Sequence, residues 1–151
     1  MLKLVPALHE DPNLLYSKAN IYLAKGCLDI AESLYHKLLS LSEAGVKIKK
    51  ELHADILHNL GMISERRHNL EAAIGFYQQA LRNNKQHSMT WLFLAKIYLE
   101  RYEELGEKQD YQAGFKALNK AAEYKPEFPV VKLLKEKFKF ASQLPAPVKF
   151  I

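Results

Sequence analysis

An all-α fold, a solenoid of stacked antiparallel helix pairs, is predicted for this 151-residue chain by three observations. Apolar residues recur at helical spacing. The same paired pattern returns about three times along the sequence. Glycine and proline, at six each, are too sparse for the many turns of a β-sandwich. With 48% hydrophobic and 26% charged residues, the whole chain, 1–151, is expected to form a single domain that needs no staples.

The central unit is the clearest. Ile56, Leu57, Leu60 and Ile63 share one helical face, and Ala73, Ile74, Tyr77, Ala80 and Leu81 share another. The two helices meet at Arg67 to Asn69, and Gly61 and Ala73 are small where they would cross closely. An earlier unit places Leu15, Ala19 and Tyr22 on its first helix and Gly26 in the turn, with Ala31, Tyr35 and Leu38 following. A later one begins with Trp91, Leu94, Ala95 and Tyr98. Its second helix, roughly Asp110 to Tyr124, carries Gly114, Leu118 and Ala121, with Pro126 just beyond.

Spacing is uneven: 42 residues separate Leu15 from Leu57, but 34 separate Leu57 from Trp91. The extra residues in the first gap, Glu43 to Glu51, are expected to extend the following helix. A second insertion, Arg101 to Gln109, either lengthens both flanking helices by a turn or forms a solvated loop. These boundaries give repeats at about 12–45, 54–87 and 88–126. Val130, Val131, Leu133, Leu134 and Phe138 then mark an amphipathic helix over about 127–143, whose default role is to cap the last apolar face. Residues 144–151 contain two prolines and are expected to be an extended tail, either free or docked as a strand.

These units resemble the tetratricopeptide repeat family. Leu57 stands at that pattern's leading large residue, Leu60 and Gly61 at its Leu-Gly, Ala73 at its Ala and Tyr77 at its aromatic. Ser64 and Lys85 depart from its Tyr and Pro, and Lys18 replaces the Leu of the first unit. The likeness covers residues 12–126. The 42-residue spacing resembles the repeats of kinesin light chains. The resemblance implies a right-handed superhelix whose first helices line a concave groove, and a protein or peptide partner held there. Its size is also similar to that of small bacterial secretion chaperones, and equally to a piece of a larger adaptor; the initial Met favours a complete chain.

By this frame the groove is lined in the first unit by Asn13, Tyr16, Asn20 and Leu23. In the second it is lined by Asp55, His58, Asn59, Met62 and Arg66, and in the third by Met89, Leu92, Phe93, Lys96 and Glu100. Asparagine both donates and accepts, so Asn20 and Asn59 suit the backbone of an extended peptide. Met62, Met89 and Phe93 suit an apolar anchor. The family's chaperone-tail binders clamp a terminal carboxylate with Lys and Arg. Asn20 and Asn59 match two of those places, but Tyr16, Met89 and Phe93 occupy the cationic ones, so carboxylate clamping is not expected.

Catalytic patterns are missing: no phosphate-cradling glycine loop, nucleophile elbow or His-Glu-x-x-His occurs. His53 and His58, five apart, do not share a helical face as ligand pairs do, so neither a metal nor any other cofactor is expected. No enzyme is expected either. The lone Cys27 fits a reducing compartment, hence the cytoplasm. No apolar run is long enough for a membrane span, and the start of the chain is a poor signal peptide.

Two alternatives to a peptide-binding adaptor remain. Lys116, Lys120, Lys125, Lys132, Lys135, Lys137, Lys139 and Lys149 make the C-terminal third basic within a net charge of +5, as a nucleic-acid-binding helical repeat would be. The other is self-assembly, forming a homo-oligomer through an apolar N-terminal face near Leu2, Leu4, Val5 and Leu8.

Overall fold

The computed structural model describes residues 10–139, and side chains as far as Lys137. Every regular element among them is helical. The order is α1 (Pro12–Ala24), α2 (Leu28–Glu43), α3 (Lys50–Arg66), α4 (Leu70–Asn83), α5 (Ser88–Leu105), α6 (Lys108–Tyr124) and α7 (Pro129–Lys139). The all-α helical-repeat expectation therefore holds. The tail over 144–151, the end of the capping helix, and Leu2, Leu4, Val5 and Leu8 lie outside the described residues.

Local chemistry sets the helix ends. Pro12 occupies the first turn of α1, where its missing N–H costs nothing, and Asp11 accepts a hydrogen bond from the Asn13 amide at 2.9 Å. Three helices then close in the same way. Past α1 the Cys27 amide donates to the Tyr22 carbonyl, past α2 Val46 donates to Leu41, and past α3 Asn69 donates to Ser64. Each closure needs one left-handed residue, supplied by Gly26 (φ 77°), Gly45 (φ 98°) and His68 (φ 59°). Asn69 then accepts from the Ala72 amide at 3.2 Å and starts α4.

Gly45 explains why the first insertion differs from expectation. Residues 44–49 form a connector, because the chain turns at the left-handed glycine two residues past the end of α2, and only Lys50 and Glu51 of the insertion extend α3 as expected. The second insertion goes the other way. Between α5 and α6 only Gly106 and Glu107 remain non-helical, and α5 runs to 18 residues against 13 in α1. Gly106, at φ 68°, ends α5.

The chain divides into two compact units, Met1–Phe76 and Tyr77–Ile151. In the first, α1 packs on α2 and α2 on α3. Its core is Leu15, Ala19 and Leu23 of α1, Ala31, Tyr35 and Leu38 of α2, and Ile56, Leu60 and Ile63 of α3, with Phe76 against them. Burying side chains of this size is worth roughly 1.5–3 kcal/mol each before conformational entropy is set against it.

In the second unit α5 packs on α6, and α6 on α7. Leu94, Ala95, Ile97 and Leu99 are buried with Ala117, Leu118, Ala121 and Val131. Gly114 lets α5 and α6 approach closely, since a Cβ there would lie 2.7 Å from Leu99 Cδ2. Arg101 reaches across the same pair to the buried Asp110, with Nη2 2.9 Å from Oδ1.

Candidate functional site

Four side chains of the first unit form one polar network. Tyr16 and Asn20 lie one turn apart on α1, Tyr35 on α2, and Asn59 on α3. The Tyr35 hydroxyl donates to Asn20 Oδ1 at 2.5 Å. Asn59 Nδ2 faces three oxygens, at 3.0 Å from Asn20 Oδ1, 3.0 Å from Tyr35 Oη and 3.3 Å from Tyr16 Oη. The Tyr16 and Tyr35 rings meet at 6.2 Å between centroids. Three helices are thus pinned by side chains 15 to 43 residues apart in sequence.

The network also fixes how the two amides point. Asn20 must turn its oxygen toward Tyr35 and Asn59, and Asn59 must turn its nitrogen toward all three acceptors. Asn59 Oδ1 stays outside these bonds, an acceptor at a half-buried position.

Burial raises the pKa of both phenols. For Tyr16 desolvation is the largest cause; the negative Asp55 adds to it, and hydrogen bonding to Asn20 and Asn59 works against it. Desolvation likewise pushes Tyr35 far up, partly offset by the bond with Asn59. Both rings therefore stay neutral throughout the physiological range.

The other residues expected to line a groove are placed as follows. Asn13 is exposed, while Asp55 and Met62 are half-buried. Arg66 turns back to donate from Nη1 to the Leu23 carbonyl at 3.1 Å, capping the last turn of α1. His58 is 6% exposed, and Leu23 and Leu92 are buried. These three serve packing, a correction to the lining expected, because their helix faces are taken by neighbouring helices. In the second unit Met89 is 40% exposed, Lys96 and Glu100 are exposed, and Phe93 is half-buried with its ring 5.9 Å from that of Tyr77.

Sequence reasoning missed two participants. Tyr35 read as plain core, yet its hydroxyl joins the network, donating to Asn20 and accepting from Asn59. Arg67 read as a turn residue, yet its guanidinium forks to Asp29 and Glu32, one turn apart on α2. The Asp29/Glu32 spacing ahead of an arginine turn was the only available signal. No cluster of His, Cys, Asp or Glu among the described residues could hold a metal, and none of their helices is long and apolar enough to cross a membrane.

A tetratricopeptide repeat model matches residues 10–86, half of the chain. The chain belongs to the tetratricopeptide repeat family. A similar solved structure is the crystal structure of the APC/C hetero-tetramer Cut9-Hcn1, at a TM-score of 0.70 and 18% identity. The match covers 86% of this chain and 24% of that one, so this tetratricopeptide chain spans about a quarter of its length. That likeness concerns the fold. No curated protein matches the sequence.

Proposed function

We propose that the chain is a non-catalytic adaptor module that holds an extended segment of a protein partner. The observation that carries this reading is the pair of oriented amides. Asn59 Oδ1 offers an acceptor for a peptide N–H and cannot rotate away without breaking the network, and Asn20 is fixed beside it with its oxygen held by Tyr35 and Asn59. Met62, three residues after Asn59, offers adaptable apolar surface beside them. The second unit, taken by itself, carries exposed Met89 and Lys96 and the half-buried Phe93 as apolar and cationic surface. The family's role in protein–protein interaction supports the reading. The single, exposed Cys27 supports a reducing location, the cytoplasm.

The test is capture of partners by the immobilised full chain from lysate, compared with Met62→Arg and Met89→Arg. Both substitutions place bulk and charge on the proposed faces without touching the network. Loss of the captured proteins, with the circular dichroism of the variants unchanged, is expected. Retention of the same set by both variants refutes the reading.

A further inference from the structure

Within the second unit a cavity of about 320 Å³ opens between α4, α5 and α6. Trp91, Leu94 and Tyr98 of α5 line it, with Leu81 of α4 and Ala113 and Ala117 of α6 alongside. The small alanines leave room where larger side chains would close the gap. Trp91 is held in place, because its indole N–H donates to the Lys85 carbonyl at 2.8 Å. The result is a preformed aromatic and aliphatic recess of the size that accepts one or two apolar side chains.

Its rim is charged in one sense. Gln78 and Lys116 border the cavity, and Arg82 lies one turn beyond Gln78 on α4. No acidic residue occurs from Tyr77 to Gln86 or from Tyr111 to Ala122. The acids that flank the second stretch are engaged: Asp110 by Arg101 and Glu123 by Lys120. Among the described residues, no carboxylate pairs with Arg82 or Lys116.

From the apolar recess and its basic rim we infer a second docking site, separate from the oriented amides, that takes an acidic amphipathic helical segment of a protein partner. Two apolar side chains spaced one turn apart would enter between the alanines and Trp91. Glutamate or aspartate on the flanking turns would face Lys116 and Arg82.

Trp91 is the chain's single tryptophan and reports on this cavity directly. The experiment titrates the full chain with a tryptophan-free helical peptide carrying Phe and Leu four apart among glutamates, and follows Trp91 emission. Saturable change is expected, with none from the lysine-for-glutamate peptide or from oligouridine RNA. Arg82→Glu/Lys116→Glu should weaken binding roughly tenfold, since two exposed charge pairs are reversed. Lys18→Glu/Lys25→Glu, an equal change in net charge in the first unit, should not. Ala113→Leu, filling the recess, should abolish the response while the helical circular dichroism persists. Met62→Arg should leave it intact, so failure here and failure of the amide site are told apart. The inference is overturned if Trp91 emission does not change up to about 1 mM peptide, a millimolar Kd being the weakest useful binding. It is also overturned if both charge-reversal variants bind alike, if Ala113→Leu binds as tightly as the native chain, or if RNA moves the signal and the peptide does not.

Discussion

Replacing Asn59 by alanine tests whether the polar network or the apolar core alone holds α1, α2 and α3 in register. Asn59 has two N–H donors for three facing oxygens, so its removal deletes two hydrogen bonds' worth of interaction. At about 1 kcal/mol net per bond the loss is about 2 kcal/mol. Tyr35 keeps its bond to Asn20, and the half-buried Tyr16 loses the Asn59 amide but keeps its hydrogen bonding with Asn20, so the figure should not rise much further. In a chain of this length 2 kcal/mol corresponds to a drop in Tm of roughly 4–8 °C. Urea unfolding followed by circular dichroism measures the change. A double-mutant cycle with Tyr35→Phe should show coupling of about 0.5–1.5 kcal/mol, as contacting partners do. Asn59→Asp should be worse than alanine, since it turns a carboxylate toward Asn20 Oδ1. An Asn59→Ala midpoint equal to the native one, or a cycle with no coupling, would mean that water serves these groups equally well and that the proposed orientation of the amides has no structural cause.

Three further outcomes follow from the same reasoning. Tyr16 and Tyr35 bind their protons more tightly folded than unfolded, so the stability they contribute is complete below the ordinary tyrosine value of about 10 and declines as pH rises beyond it. Tyrosinate absorbance should show two late-titrating phenols that ionise together with loss of helix, and Tyr35→Phe should remove one. Gly114→Ala should cost about 1–3 kcal/mol through its collision with Leu99, read as a lower urea midpoint, whereas Gly75→Ala, with open space around it, should be neutral or stabilising. Arg101→Ala should cost about 3 kcal/mol because it strands the buried Asp110, but Arg67→Ala at most about 1 kcal/mol, since Asp29 is almost fully exposed; added salt should shrink only the latter.

The helix pairs were legible because packing writes itself into sequence at a fixed period. Leu15, Ala19, Ile56, Leu60, Leu94 and Ala95 are all buried where helical spacing puts them. Connector geometry was less legible, because a left-handed glycine stops a helix whatever the polarity around it, and Gly45 lies inside a stretch that otherwise looks able to continue. Side-chain partnerships were the least legible. Asn20 and Asn59 were singled out as groove residues for a peptide backbone, whereas their mutual bond spans 39 residues and joins a hydroxyl from a third helix, which no spacing rule foresees. A helical wheel shows which way Arg66 leaves its own helix, and not that the end of α1 waits within reach of its guanidinium.

The bonds that run from the second helix pair back to the first have a consequence for how the chain breathes. Asn59, Arg66 and Arg67 all reach from α3 or its closing turn to α1 and α2, so the first pair leans on its successor for polar as well as apolar support. In a nearest-neighbour description of repeat stability these bonds add to the coupling between the first pair and its successor. Amide protons of α1 should then exchange no more slowly than α3 opens, and the N-terminal edge should come and go as a cooperative block and not fray turn by turn.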